Sequence, residues 1–223
     1  MSTFRDMLGY MVVASARPRR KPRDRYHHGD LRRALLDEAL RTIQQDGVDE
    51  LTLRGIGLRL GVSRTALYRH FTDKRALLAS VATEGFRLLT ERLLDAWKAG
   101  GIRGFNAMGV AYIRFAMANR AHYRVMFGGS VDHGPRDEDL IRESTAAFQA
   151  LVDAIAALQK DGTVRKGDPL QLARFIWAAV HGLSMLIIDG QLPHEQAQID
   201  DLIQFTVERI NTGIARPARQ NDR

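Results

Sequence analysis

Apolar and polar positions alternate with a helical period along most of the chain. Over residues 30–45 the apolar positions Leu36, Ala39, Leu40 and Ile43 recur at i, i+3, i+4 and i+7, which lines one face of a helix. Asp30 is placed to cap that helix, and Gly47 to end it in the left-handed conformation. Thr52 is placed to cap a short second helix reaching Leu60. A Gly61-Val62-Ser63 turn follows, and Ser63 is placed to cap a third helix reaching Phe71. Thr72 or Asp73 then opens a longer helix to Trp97. Beyond Gly100 the same period predicts helices over 105–119, 122–127, 138–161, 169–188 and 195–213, separated by Gly- and Pro-containing breaks. No alternating stretch predicts a strand. The expected fold is all-α, with about nine helices.

The short second and third helices around a Gly-containing turn read as a helix-turn-helix. On the third helix Leu67 and Phe71 face a small core, while Arg64, Thr65 and Tyr68 project to the other side. An α-helix fits the major groove of B-DNA, and Arg64 there can donate two hydrogen bonds to guanine. Thr65 and the methyl of Ala66 suit a thymine methyl. Tyr68 and His70 can bond phosphates, and Lys74 adds a charge at the next helix start.

Charge sharpens this picture. Of the net +7, residues 1–75 carry 16 Lys/Arg against 9 Asp/Glu, while residues 76–223 carry 17 of each. The excess positive charge therefore lies wholly in the part holding the helix-turn-helix, as a polyanion partner requires. Part of it falls in residues 14–26, where Arg17, Arg19, Arg20, Lys21, Arg23 and Arg25 accompany two prolines. Two readings stand for that stretch: an arm along phosphates or in a minor groove, or a solvated tail.

Other classes of function find little support. Cysteine is absent, which excludes disulfides, thiol nucleophiles and Cys-ligated zinc. No nucleophile–base pair, metal-ligand spacing or phosphate loop stands out, so no catalytic residue, metal or cofactor is expected. His181 and Asp189 are the nearest approach to an enzymatic constellation. No run of eighteen apolar residues is expected to cross a membrane, and the protein is expected in the cytoplasm. Residues 7–16 resemble a short signal-peptide core only faintly; a start at Met7 or Met11 is the plainer expectation.

The run over residues 29–78 resembles the DNA-binding domain of the TetR family of bacterial regulators. The resemblance is carried by the first-helix Ala-Leu-Leu-Asp-Glu-Ala-Leu, by Thr52 and Arg54, and by Gly61-Val62-Ser63. Leu67, Tyr68, His70, Phe71, Lys74 and Leu77 complete it. It implies that Thr52, Tyr68, His70 and Lys74 bind phosphates, and that Arg54, Arg64, Thr65 and Tyr68 approach bases, with Ser63 at the helix start. Gly55 and Gly57 depart from the family pattern, each with an expected cost of about 1 kcal/mol relative to Ala.

The segment Trp177 to Gly190, with its Trp177…His181-Gly182 pattern, resembles one group of TetR-like bodies more weakly. It implies a ligand-responsive regulator, expected to be a repressor, that binds duplex DNA at a palindromic operator as a homodimer and is released by a small, hydrophobic effector. The expected division is a basic arm at 1–26, a DNA-binding head at 27–75, a helical effector-binding and dimerisation body at 76–215, and a tail at 216–223. Met108, Phe115, Tyr123, Phe127, Phe148, Trp177 and His181 are the expected pocket residues. Phe175, Val180, Leu183 and Ile187, with Leu202 and Phe205, are the expected dimer contacts. The rival readings are an architectural DNA-binding protein acting through charge alone, and an enzyme.

Overall fold

The computed structural model describes residues 28–129, 137–192 and 195–215, so the expectations for the arm and the tail lie outside the described residues. Nine helices are found among the described residues, and no strand. They are α1 (His28–Asp46), α2 (Leu53–Arg59), α3 (Arg64–Tyr68), α4 (Lys74–Trp97) and α5 (Gly101–Ala118). After them come α6 (Arg120–Phe127), α7 (Glu138–Lys160), α8 (Pro169–Ile188) and α9 (Gln196–Ile214). The fold is all-α, as the periodicity predicts.

Local chemistry sets most helix ends. Thr52, Ser63 and Asp73 each adopt an extended backbone and accept a hydrogen bond from the amide three residues on, at 3.0, 3.2 and 2.7 Å. Asp137 and Asp168 also cap α7 and α8, accepting from the amides of Leu140 and Leu170, and Pro169 fills the first position of α8, where its missing N–H costs nothing. Gly47 follows α1 at φ 93°. Several starts differ from expectation: α6 begins at Arg120, two residues early, and α9 at Gln196, one residue late. α1 begins at His28, so Asp30 lies inside its first turn. α5 begins at Gly101, four residues early. α3 also ends at Tyr68, before Phe71.

The head packs as three short helices on the start of α4. Leu35, Ile43, Leu51, Ile56, Leu67 and Leu77 are all almost completely buried there. Glu38 of α1 is buried too, and it is held by ion pairs to Arg41 and, at 3.4 Å, to Arg59 of α2. That pairing meets the requirement that a buried carboxylate be matched by charge. Arg33 joins α1 to the body side of α4 through Glu84 at 2.6 Å. α4 continues into the body, where it packs on α5, α6 and α7, and one hydrophobic cluster runs through head and body.

Close approach accounts for several glycines. A methyl group on Gly57 would stand 3.0 Å from Leu67 Cδ1, and one on Gly55 would stand 2.9 Å from the capping oxygen of Thr52. Glycine in α2 thus allows the second and third helices to meet. At Gly85 of α4 a methyl group would stand 2.5 Å from Met126 Sδ and 3.2 Å from His122 Cβ, which lets α6 lie directly on α4.

The faces of α8 differ from the predicted stripe. Val180, Leu183 and Ile187, expected to face a partner, are buried in the protomer core together with Ile176. Phe175 and Leu186 point outward and are 54% and 46% exposed, and Phe205 of α9 is 56% exposed; Leu202 is half-buried. With Ala178 and Gly182, Phe175 and Leu186 form the exposed stripe of α8. Nearly the whole circumference of this helix is apolar. Its most apolar window has a mean hydropathy of 1.4, so α8 is long and apolar enough by composition to cross a membrane, contrary to the sequence reading. One side of it is nevertheless core, packed on α5, α7 and α9.

Replacing Gly85 by Ala should destabilise the fold by about 1–3 kcal/mol through overpacking between α4 and α6, read as a lower midpoint in urea unfolding. Gly57→Ala should fail to return the roughly 1 kcal/mol that helix propensity alone promises. A full gain in the same assay would contradict the close approach to Leu67.

Candidate nucleic-acid interface and ligand cavity

The caps at Thr52 and Ser63 fix where α2 and α3 begin. Leu67, 2% exposed, anchors α3 in the head core, and the opposite side of the same five-residue helix carries Arg64, Thr65 and Tyr68 to the surface. The Arg64 guanidinium lies over the Tyr68 ring, 5.5 Å from its centroid, so these two side chains form one unit. Thr52, Arg54 and Ser63 are exposed as well. His70 is half-buried and borders a charged cleft between head and body that includes Arg32, Ser80 and Glu84. Lys74 is also half-buried. Its ammonium donates to the Asp49 carbonyl oxygen at 3.2 Å, tying the start of α4 to the loop after α1. The structure thus leaves six of the eight sequence-selected residues openly exposed and engages Lys74 within the head.

In the body lies a cavity of about 420 Å³ between α4, α5, α6, α7, α8 and α9. Its size is that of a site for a small organic ligand, and its lining is overwhelmingly apolar. Met108, Phe127, Phe148 and Trp177 line it, as expected. Phe115, Tyr123 and His181 do not. Phe115 is packed in the core. Tyr123 is fully buried behind Phe127, with ring centroids 4.8 Å apart, and His181 stacks on Tyr123 at 5.6 Å. They stand one layer behind the wall.

A polar network joins that layer to the wall, where Tyr112 and Trp177 line the cavity. Trp177 Nε1 donates to the Tyr112 hydroxyl at 3.0 Å, and the Tyr123 hydroxyl donates to the same oxygen at 3.0 Å. His181 Nδ1 lies 3.2 Å from the Tyr112 hydroxyl and 2.7 Å from that of Tyr123. With the Tyr123 proton directed at Tyr112, the 2.7 Å contact is a hydrogen bond only if the imidazole donates from Nδ1 to the Tyr123 oxygen. Burial pushes the Tyr112 hydroxyl up to about 12 and the Tyr123 hydroxyl up as well, so both stay protonated donors near neutral pH. Burial also holds His181 below the usual histidine value. A second histidine, His122, is depressed for the same reason, with Glu84 opposing and Arg33 reinforcing the effect; its Nε2 is buried without a hydrogen-bond partner.

Sequence reasoning missed the α4 wall made by Phe86, Leu89 and Leu93, and also Arg174 and Asn211. Leucines at helical spacing read as core, and nothing local marks those that border a void. Tyr112 carries a signal of its own: a tyrosine on a very apolar helix needs a buried partner for its hydroxyl. Among the described residues no group of three His, Cys, Asp or Glu side chains is arranged to hold a metal.

Both depressed histidines bind protons more readily in the unfolded chain. Stability should therefore be fully present above about pH 6.5 and fall as pH drops below it, levelling off once the lower folded-state values are passed. Urea unfolding between pH 8 and 5 measures this, and His122→Asn should flatten the profile. Tyr112→Phe should cost about 1–2 kcal/mol in the same assay, because it leaves the Trp177 N–H without its buried acceptor.

Two family models match the chain. "Bacterial regulatory proteins, tetR family" matches residues 35–81, and "Tetracyclin repressor-like, C-terminal domain" matches residues 105–210. The chain is 27% identical over 186 residues to the HTH-type transcriptional repressor Rv1474c of Mycobacterium tuberculosis, covering 82% of this chain and 96% of that protein. It is 40% identical over 85 residues to the tetracycline repressor protein class A from transposon 1721 of Escherichia coli, covering 35% of this chain and 39% of the other. A solved structure of a protein of unknown function from Rhodococcus sp. RHA1 shares the fold with a TM-score of 0.75 and 32% identity, covering 86% of this chain and 100% of the other. The matched family is one of regulators rather than enzymes. The helix-turn-helix head, the helical body and these likenesses agree: the chain belongs to the TetR family and is a repressor-like, DNA-binding transcriptional regulator.

Proposed function

We propose that the protein is a homodimeric repressor that binds a palindromic operator and leaves it when a small, hydrophobic effector fills the body cavity. One observation carries this reading. α4 buries Leu77, Leu78 and Val81 beneath the head, and the same helix supplies Phe86, Leu89 and Leu93 to the cavity wall. A ligand between α4 and α7 therefore acts on the element that holds the head. It shifts the head's position only through differential affinity for two arrangements of that element.

On DNA, Arg64, Thr65 and Tyr68 enter the major groove, Arg54 approaches the bases from α2, and Thr52, Ser63, His70 and Lys74 hold the phosphate backbone. Lys74 gives up its bond to the Asp49 carbonyl, or shares it, to do so. The outward apolar residues Phe175, Leu186 and Phe205 support a two-fold pairing of α8 and α9 with those of a second copy. Ala178 and Gly182 leave room between them for close helix contact. Such a dimer presents two reading helices to half-sites one turn of DNA apart. A place of action beside the chromosome, in the cytoplasm, follows from this role.

Sedimentation should show a dimer for the natural protein and a monomer for the double variant Phe175→Glu, Phe205→Glu, with operator affinity lost alongside. A variant that stays dimeric rejects this face as the interface. In competition between operator and random duplexes, Arg64→Ala should relax preference at one position of each half-site by about 1–3 kcal/mol. Equal weakening on every duplex would favour an architectural role instead. The salt dependence should have a log–log slope of about −0.9 per neutralised phosphate.

A further inference from the structure

We propose that the cavity takes an elongated, apolar carboxylate, its chain lying between α4 and α7 and its charged end held at the mouth by Arg174. This rests on the ligand-responsive reading above and assigns the ligand's chemistry.

The shape comes from the walls. Residues from Leu140 to Leu151 line the cavity along α7, which at helical rise is about 16 Å of wall. Phe86, Leu89 and Leu93 face them along about 10 Å of α4. A long, narrow ligand fills such a trough better than a compact one.

The apolar body of the ligand follows from how the polar groups are used. Tyr112, Tyr123, Trp177 and His181 spend their hydrogen bonds on one another. Ser144 Oγ donates to the Ile141 carbonyl at 3.1 Å, and Asp137 Oδ1 accepts from the Leu140 amide at 3.0 Å. Asn211 is the exception: its Nδ2 donates to Asn106 Oδ1, but its own Oδ1 is buried without a partner, so only a donor placed beside α9 would be matched and a polar group elsewhere in mid-ligand would be desolvated without gaining one.

The charge comes from the one basic side chain in the lining. Arg174 is exposed and takes part in no ion pair among the described residues, whereas Arg114, Arg124 and Arg142 of the same body pair with Asp200, Asp189 and Asp139. The other more exposed lining residues, Ile141 and Trp177, lie with it on α7 and α8, so the cavity opens between those helices. Trp177 packs edge-to-face on Phe148 with centroids 5.7 Å apart, which places Arg174 one helical turn from the Phe148 level. The lining's carboxylate, Asp137, lies eleven residues before Phe148, about 16 Å away along α7. That is about twice the screening length of about 8 Å at physiological salt, so Asp137 repels an anion at the exposed Arg174 only weakly. A guanidinium offers a carboxylate paired, charge-assisted hydrogen bonds that neither an alcohol nor an amine can match.

The test is displacement of the fluorescent probe N-phenyl-1-naphthylamine from the full-length protein by decanoate, 1-decanol and decyltrimethylammonium below their micelle concentrations. Decanoate should displace the probe at about tenfold lower concentration than 1-decanol, with the cation weakest. Arg174→Gln should erase the advantage of decanoate and leave 1-decanol unchanged, while Arg103→Gln, at an exposed arginine outside the lining, should change neither. Equal potency of decanoate and 1-decanol, or an advantage that survives Arg174→Gln, overturns the carboxylate assignment and leaves the apolar-cavity reading standing. Failure of the probe and all three amphiphiles to bind removes both.

Discussion

The packing of α4 is the constraint on which the other features depend. Its buried stripe begins at Leu77 under the helix-turn-helix and continues through Val81, Gly85, Phe86 and Leu89 to Leu93. The first half completes the core of a head too small to bury enough apolar surface by itself. The second half is shared with α5, α6 and α7. Because Gly85 brings α6 into direct contact, α4 cannot tilt in the body without displacing Met126 and His122. Arg33 and Glu84 tie α1 to the same region, so a movement of α4 within the body reaches the head through both packing and charge.

Apolar character in the cavity is maintained by a polar network that spans its wall and the layer behind it. Four side chains with donors and acceptors bond one another rather than a ligand, and burial keeps the two tyrosines protonated and the imidazole neutral. The arrangement avoids leaving buried polar groups unmatched, and it orients the Trp177 ring against Phe148 at the mouth. Two atoms are exceptions: Asn211 Oδ1 in the cavity lining, and His122 Nε2 at the place where α4 and α6 meet, have no partner. An unsatisfied group at that junction is a local cost that a small shift between the two helices could relieve.

The head was legible in the sequence because its signals are local. Thr52, Ser63 and Asp73 act within three residues of themselves, and Leu67 and Phe71 declare their inward side by spacing. Where a signal depended on packing across helices, reading failed. α8 is apolar nearly all round, so periodicity could not tell its inner face, with Val180 and Ile187, from its outer one, with Phe175 and Leu186. Tyr123 and His181 were correctly grouped with Trp177 but placed one layer too far forward, because side-chain order behind a wall has no sequence signature. The glycines of α2 looked like a defect until Leu67 and the Thr52 cap supplied the reason for them.

The account stands on α4 carrying cavity occupancy to the separation of two heads. Since the natural chain has no cysteine, a single Glu50→Cys variant puts one spin label on the exposed surface of each head. Pulsed electron-spin distances would then be recorded for the dimer on operator, and for the dimer filled with a ligand that displaces N-phenyl-1-naphthylamine. On operator, a single narrow distance is expected, matching reading helices about 34–36 Å apart. In the ligand-filled dimer a distinct distance incompatible with that spacing is expected. Identical distance distributions in the two states would contradict the account.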